Sequence, residues 1–239
     1  MKRLLILIIL IMTSFSQAQA LVIGVAPNSP PLSSLADKQN HFYGFEIDLI
    51  NNICLRIKLP CTLTPVFIKQ VQPDLMAQKI DLAIEAYIIP NTPPPGFIFS
   101  LPYLPSNAEF IVEKNSTIMT PADIQNKTVG VRHGTLFDDL LHTLYGNKVS
   151  ISKYMTGGEV LSALTNGNVD AILTDSVVAD FWMLNSGGEY RLIGKKIPIG
   201  NGYGILANMG QEALMAKINQ ALQSMMADGT YSNIYSRYF

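Results

Sequence analysis

The 239-residue chain has two cysteines, three histidines and one tryptophan, and nowhere does it gather basic residues into a run. Each scarcity excludes something. Without clustered lysine and arginine there is no surface for a phosphate backbone, so nucleic acid is not expected as a partner. His41, His133 and His142 are dispersed and lack metal-ligand spacing, so no metal site is expected. Six residues separate Cys54 from Cys61, which is wrong for a C-x-x-C redox pair. The chain has no G-x-S-x-G, no P-loop and no dinucleotide fingerprint, and no cofactor is expected. Beyond residue 20 no apolar stretch approaches the length that spans a bilayer.

What is present begins with a leader. Lys2 and Arg3 precede an apolar run from Leu4 to Met12, and Ala18-Gln19-Ala20 has the form of a cleavage site. Residues 1–20 therefore read as a secretory signal, and no cysteine at the cleavage point suggests a lipid anchor. Its removal takes away two of the 17 basic residues and none of the 18 acidic ones, moving the formal net charge from −1 to −3. In an exported protein, Cys54 and Cys61 read as a disulfide. The loop they close is short, so the stabilisation expected is about 2–3 kcal/mol.

Along the rest of the chain, apolar strands alternate with amphipathic helices, an α/β pattern. Strands are expected at Leu21–Val25, Leu63–Phe67, Leu82–Ile84, Phe97–Phe99, Ala108–Glu113, Thr128–Val131, Val149–Lys153, Ala171–Asp175 and Tyr203–Leu206. Helices are expected over Glu46–Lys58, Gln72–Gln78, Leu136–Tyr145 and Glu159–Thr165. Another should follow a cap at Ser176, and a long one should carry Leu214, Ile218, Leu222 and Met225. A further helix should start at Thr120, with Pro121 in its first turn. Glu46 and Asp48 fall in the first turn of the helix they open, where the dipole favours them.

One stretch organises the chain. Leu82-Ala83-Ile84 is a short buried strand, Glu85 ends it, and Pro90, Pro93, Pro94 and Pro95 force an irregular loop at its carboxyl end. Ligands bind at such strand ends in open α/β sheets. The pattern then recurs: Asn168–Asp175 resembles Lys79–Glu85, and both strands end in a carboxylate. Two similar lobes facing a shared crevice would produce this repeat.

In the order and spacing of its motifs the chain resembles bacterial periplasmic solute-binding proteins, family 3, of the polar amino-acid type. It is similar to the histidine- and lysine/arginine/ornithine-binding proteins. The stretches that carry the resemblance are Gly44–Leu49, Ile80–Ile84, Phe99–Tyr103, Val129–Val131 with Gly134-Thr135, Val169–Ala171 with Asp175, and Ala227–Tyr231, together with the cysteine spacing. The resemblance implies a two-lobed type II binding-protein fold, each lobe a mixed sheet flanked by helices, joined by two hinge strands. Lobe 1 would be 21–107 plus 203–239 and lobe 2 would be 108–202, with hinges near Ser106–Glu109 and Gly200–Gly204. It implies a periplasmic monomer that closes on a small-molecule ligand and delivers it to the membrane subunits of an ABC importer.

The departures from the family pattern concern the ligand. Where the family places the arginine that holds the ligand's α-carboxylate, this chain has Pro93. The hydroxyl positions on the same loop are Ala86, Ile88 and Pro90, and the second hydroxyl after Gly134 is Leu136, although Thr135 is kept. In the first loop, the family's acidic and aromatic positions fall at Ala26 and Ser29. Asp175, the family's receiver of the α-ammonium, is retained. The candidate ligand set is Asp175, Thr135, Arg132, Ala86, Ile88 and Leu136 from the resemblance, with Glu85 added for its strand-end position and Tyr87 as aromatic surface, and it is biased toward cations. Arg132 falls where the family lines the side-chain pocket; it is either a replacement anion contact or one half of a solvated salt bridge. Glu85 either faces the cleft or pairs with a lysine, Asp175 could instead cap a helix, and Tyr87 and Phe137 could be plain core.

No catalytic constellation is evident, and binding without catalysis is the expected activity. Two alternatives remain at the level of sequence. One is a dehydratase-like enzyme on the same scaffold with Glu85 as general acid. The other is a receptor that senses its ligand without transporting it.

Overall fold

The computed structural model describes residues 20–239, so the expected leader lies outside the described residues apart from its last position. The chain folds into two five-stranded sheets and one small three-stranded one. The first large sheet contains β1 (Leu21–Val25), β5 (Cys61–Pro65), β6 (Leu82–Ile84), β7 (Phe97–Phe99) and β13 (Leu206–Asn208), in the order β5-β1-β6-β13-β7. The second contains β8 (Asn107–Glu113), β9 (Thr128–Arg132), β10 (Ser150–Tyr154), β11 (Ala171–Asp175) and β12 (Tyr190–Pro198), in the order β10-β9-β11-β8-β12. β2 (Asn28–Ser29), β3 (Ser33–Leu35) and β4 (Phe42–Tyr43) form the small sheet.

The two large sheets have the same plan. Three parallel strands are followed by a fourth that runs against the third, and by a fifth that runs against the fourth. The internal repeat seen in the sequence falls on β6 and β11, the middle strand of each sheet. Every residue of both strands is buried. That explains their near-continuous apolar character, because a strand covered on both faces has no solvent side to alternate with.

Helices cover the sheets: α1 (Phe45–Ile57), α2 (Ile68–Met76), α6 (Glu212–Ala227) and α7 (Thr230–Tyr235) on the first; α3 (Phe137–Tyr145), α4 (Gly157–Thr165) and α5 (Ser176–Asn185) on the second. α1 buries Phe45, Leu49, Ile50 and Ile53 completely. Each such side chain contributes about 1.5–3 kcal/mol relative to exposure. The Cys54–Cys61 disulfide ties its last turn to the first residue of β5, as expected. The C-terminal segment returns to the same helix: Arg56 donates to Asp228 at 2.7 Å, and the Tyr231 and Phe239 rings meet Phe45 edge-on.

Several elements differ from expectation. β5 starts two residues before Leu63 because it pairs with β1 from Cys61 onward. α2 begins at Ile68 and runs through Pro73, with Ile68, Val71 and Leu75 buried. The Thr120 element is a single 3-10 turn, Pro121–Ile124, although its capping box with Asp123 is complete. The residue in the N-cap position of α5 is Asp175, not Ser176, and no side chain caps that helix. β12 and α7 carry too little periodicity to be expected at all; β12 is an edge strand, half exposed, with a break in register between Ile193 and Ile197.

The chain crosses between the sheets twice, at 100–106 and 199–205, and the crossings are bonded to each other. Tyr203 donates its N–H to the Leu104 carbonyl and Tyr103 donates its N–H to the Tyr203 carbonyl, both at 2.9 Å. The Ser106 hydroxyl donates to the Ile199 carbonyl and accepts from the Gly202 N–H.

Candidate functional site

The carboxyl ends of β6, β9 and β11 meet in one crevice between the two large sheets. Glu85 follows β6, Arg132 ends β9 and Asp175 ends β11. All three are buried, at 2 %, 8 % and 3 % exposure.

Arg132 and Glu85 form an ion pair across the crevice, Nη1 donating to Oε1 at 3.0 Å. The salt bridge considered for Arg132 is therefore real but not solvated, and the partner of Glu85 is this arginine rather than a surface lysine. Burial pushes the Glu85 carboxyl up, against the pull of Arg132. Burial also works against the charge on Arg132, but Glu85, Asp175 and Glu46 together hold it more firmly protonated. One nitrogen of Arg132, Nη2, and the second oxygen of Glu85 have no protein partner.

Asp175 stands at the N-cap of α5 yet makes no cap bond. Its Oδ1 instead accepts from the Tyr203 hydroxyl at 2.6 Å, so the second crossing is tied to the end of β11. Burial raises the Asp175 carboxyl, while Arg132 and the Tyr203 hydrogen bond pull it down.

A fourth charged group lies close to these three. Glu46 is fully buried; its Oε1 accepts from the Ala86 N–H at 2.6 Å and from the Tyr103 hydroxyl. Burial raises it to about 7, the tyrosine and amide hydrogen bonds only partly offsetting that. Its location was readable: Glu46, Ile50 and Ile53 recur at i, i+4 and i+7, a stripe that faces inward. The tyrosines that hold Glu46 and Asp175, one from each crossing, gave no such signal. Ala86 adopts φ 46°, left-handed backbone that is unusual without glycine, and so turns the chain sharply away from β6.

Beside these groups lies a cavity of about 230 Å³. The loop after β6 supplies Ala86, Tyr87, Ile88, Pro90, Thr92 and Pro94, and α2 supplies Ile68 and Gln72. The other sheet supplies Gly134, Thr135, Leu136 and Asp175. Six of the eight expected residues thus line one cavity; Glu85 and Arg132 are paired next to it and are not on its wall. Pro93 is flanked by wall residues without being one. Tyr87 is half-buried on the wall, its hydroxyl accepting from Gln72 at 2.6 Å, whereas Phe137 is core at 1 % exposure. The wall carries one carboxylate and, among the described residues, no basic side chain. The Thr135 hydroxyl donates to the Arg132 carbonyl at 2.8 Å, so toward the cavity it offers lone pairs.

The two lobes touch around this cavity. A Cβ on Gly134, at φ +91°, would come within 3.1 Å of the Lys69 backbone in α2. A Cβ on Gly158 of α4 would come within 2.8 Å of the Asn28 side-chain amide in β2. Among the described residues no group of three or more histidine, cysteine, aspartate or glutamate side chains could hold a metal ion, and no helix is long and apolar enough to cross a membrane.

Known proteins match this chain from end to end. The arginine-binding protein 1 of an ABC transporter in Escherichia coli K12 is 28 % identical over 245 residues, covering 100 % of this chain and 99 % of its own length. The histidine-binding periplasmic protein of Salmonella typhimurium LT2 is 30 % identical over 229 residues, covering 92 % and 88 %. Among solved structures, an arginine 3rd transport system periplasmic binding protein from Legionella pneumophila superposes with a TM-score of 0.87 at 37 % identity, covering 92 % of this chain and 99 % of that one. An ancestral arginine-binding protein bound to glutamine gives 0.84 at 29 %, covering 92 % and 97 %. The sequence model of a whole family matches residues 21–239, and by that match the chain belongs to the bacterial extracellular solute-binding proteins, family 3.

Proposed function

We propose that the protein captures a small solute carrying a positively charged nitrogen in the cavity between its lobes. The single observation that carries this reading is Asp175. It is the one carboxylate on a wall that is otherwise neutral and mostly apolar, and no basic side chain among the described residues shares that wall. An ammonium or guanidinium there would gain a charge-assisted hydrogen bond in a poorly solvated setting. Tyr87, Ile88 and Leu136 would cover its body.

In this reading the lobes are 21–107 with 203–239, and 108–202. They rotate about the two bonded crossings, and closure completes the cavity from both sides. Export through a cleaved leader at 1–20 would place the protein in the periplasm as a monomer. There it would hand its ligand to ABC transporter membrane subunits, as the name of the Escherichia coli arginine-binding relative implies for that protein. Arginine, which several relatives are named for, is one candidate ligand and enters the test on equal terms. A dehydratase role would need Glu85 to meet the substrate. Glu85 is off the wall and engaged by Arg132, so we take the protein to act by binding alone.

A thermal-shift screen of amino acids and amines tests this. A ligand at about 1,000 times its dissociation constant adds ~4 kcal/mol. For a chain of this size the midpoint then rises by about 8–16 °C. The expected result is such a rise with at least one organic cation, accompanied by a more compact particle in small-angle scattering. No shift with any member would defeat the reading.

A further inference from the structure

The ion pair beside the cavity bears on which cation the cleft can take. Arg132 leads into Gly134 and Thr135, both on the wall, and Glu85 leads into Ala86 and Tyr87, also on the wall. The two side chains come from opposite lobes and meet through one N–H···O bond at 3.0 Å rather than a two-pronged fork. Nη2 of Arg132 has no protein partner. The arginine therefore keeps the hydrogen-bonding capacity to grip a carboxylate, but its charge is already matched by Glu85.

Consider an α-amino acid and the amine left when its carboxylate is removed. Both can place a cationic nitrogen against Asp175. The carboxylate of the amino acid would then need a positive group near the wall. The arginine that could serve is bound to Glu85, and Asp175, the carboxylate on the wall, has the same sign as the incoming group. Thr135 cannot help as a donor without giving up the Arg132 carbonyl. The amine makes no such demand. Building on the solute-site reading above, we propose that Glu85 sets the ligand class: by holding Arg132 it makes the cleft accept amines or guanidines that lack a carboxylate and reject the same molecules with one.

The geometry makes Glu85 a specificity switch whose removal should have a directed effect. Glu85→Gln removes the counter-charge from Arg132 while keeping the shape of the side chain and an oxygen that can still accept from Nη1. The affinity for the carboxylate-bearing partner should rise, and the rise should depend on Arg132.

The experiment is calorimetric titration of the purified protein with matched pairs: agmatine and L-arginine, cadaverine and L-lysine, isoamylamine and L-leucine. In the wild type, one amine should bind at least tenfold more tightly than its amino acid. In Glu85→Gln the amino acid of that pair should gain tenfold or more, and Glu85→Gln with Arg132→Gln should lose the gain. A wild type that prefers the amino acid overturns the proposal while leaving the solute site standing. So does a folded Glu85→Gln variant with an unchanged preference. If Glu85→Gln does not fold, the folded double variant Glu85→Gln with Arg132→Gln decides. Amine affinity within about threefold of wild type supports the proposal, and its collapse shows that Arg132 grips the ligand and overturns it. Silence across every pair defeats the solute site itself, and the proposal with it.

Discussion

β6 and β11 occupy the same place in two sheets of the same plan, and each delivers a carboxylate to the crevice between them, yet the two carboxylates have opposite fates. Glu85 reaches across to the arginine of the facing lobe and is spent on that contact. Asp175 turns to a hinge tyrosine on one side and keeps its place on the cavity wall on the other. The difference lies in what each strand end faces. β9, next to β11, ends in Arg132, whereas β1, next to β6, ends in Val25 and is followed by Ala26, which offer no counter-charge. A repeated fold thus provides two strand-end acids, and the unmatched third strand end decides which stays on the cavity wall.

The contrast can be broken most severely at Arg132. Arg132→Met leaves Glu85 buried without its counter-ion and should cost about 3–5 kcal/mol in unfolding free energy. The loss should be larger at pH 8 than at pH 5, because a protonated Glu85 tolerates burial alone. Adding Glu85→Gln should restore most of it. Equal losses for the single and double variants in a denaturant titration would show that the unpaired charge of Glu85 is not the cause of the loss.

On the other side, Tyr203→Phe removes the hydroxyl that Asp175 accepts from. The buried acceptor should cost about 1–3 kcal/mol. The Asp175 carboxyl should also become easier to protonate, weakening any cationic ligand at mildly acid pH. An unchanged stability would mean that Asp175 is held by something other than the hinge.

A gentler probe is pH. Glu46, raised by burial to about 7 from an ordinary value near 4.5, keeps its proton in the folded protein where the unfolded chain has released it. The folded state then binds more protons, so its advantage is greatest at low pH and is lost as pH rises toward 7. Ligand-free stability should fall from pH 5 to pH 7, by at most about 1.4 kcal/mol per unit from this group. Glu46→Gln should flatten the slope, and a slope of opposite sign would contradict the burial of Glu46. Carboxylates with lowered values, such as Asp228 at about 2, complete their titration below this window.

How much of this was legible follows from the same physics. The middle strands were readable because burial on both faces demands unbroken apolar runs, and their carboxylates were conspicuous against those runs. The proline-rich loop announced an irregular strand end, and six expected residues line one cavity. β12 was not readable, since an edge strand is specified by pairing with β8 more than by its own pattern. The pairing of Glu85 with Arg132 was not readable either. The two residues are 47 positions apart, and whether they meet depends on how the lobes face each other. Glu46 was a missed inward stripe, and Tyr103 and Tyr203 owe their roles to chain crossings that only the assembled fold brings together.

In the proposed function, Asp175 is the group the ligand's cation meets. The most direct measurement is the dissociation constant of the strongest-binding amine or amino acid for wild type and for Asp175→Asn, which keeps the shape and removes the charge. Loss of a charge-assisted hydrogen bond should weaken binding by about tenfold or more. An affinity unchanged by Asp175→Asn would contradict the account, because a cation bound elsewhere would not feel the change.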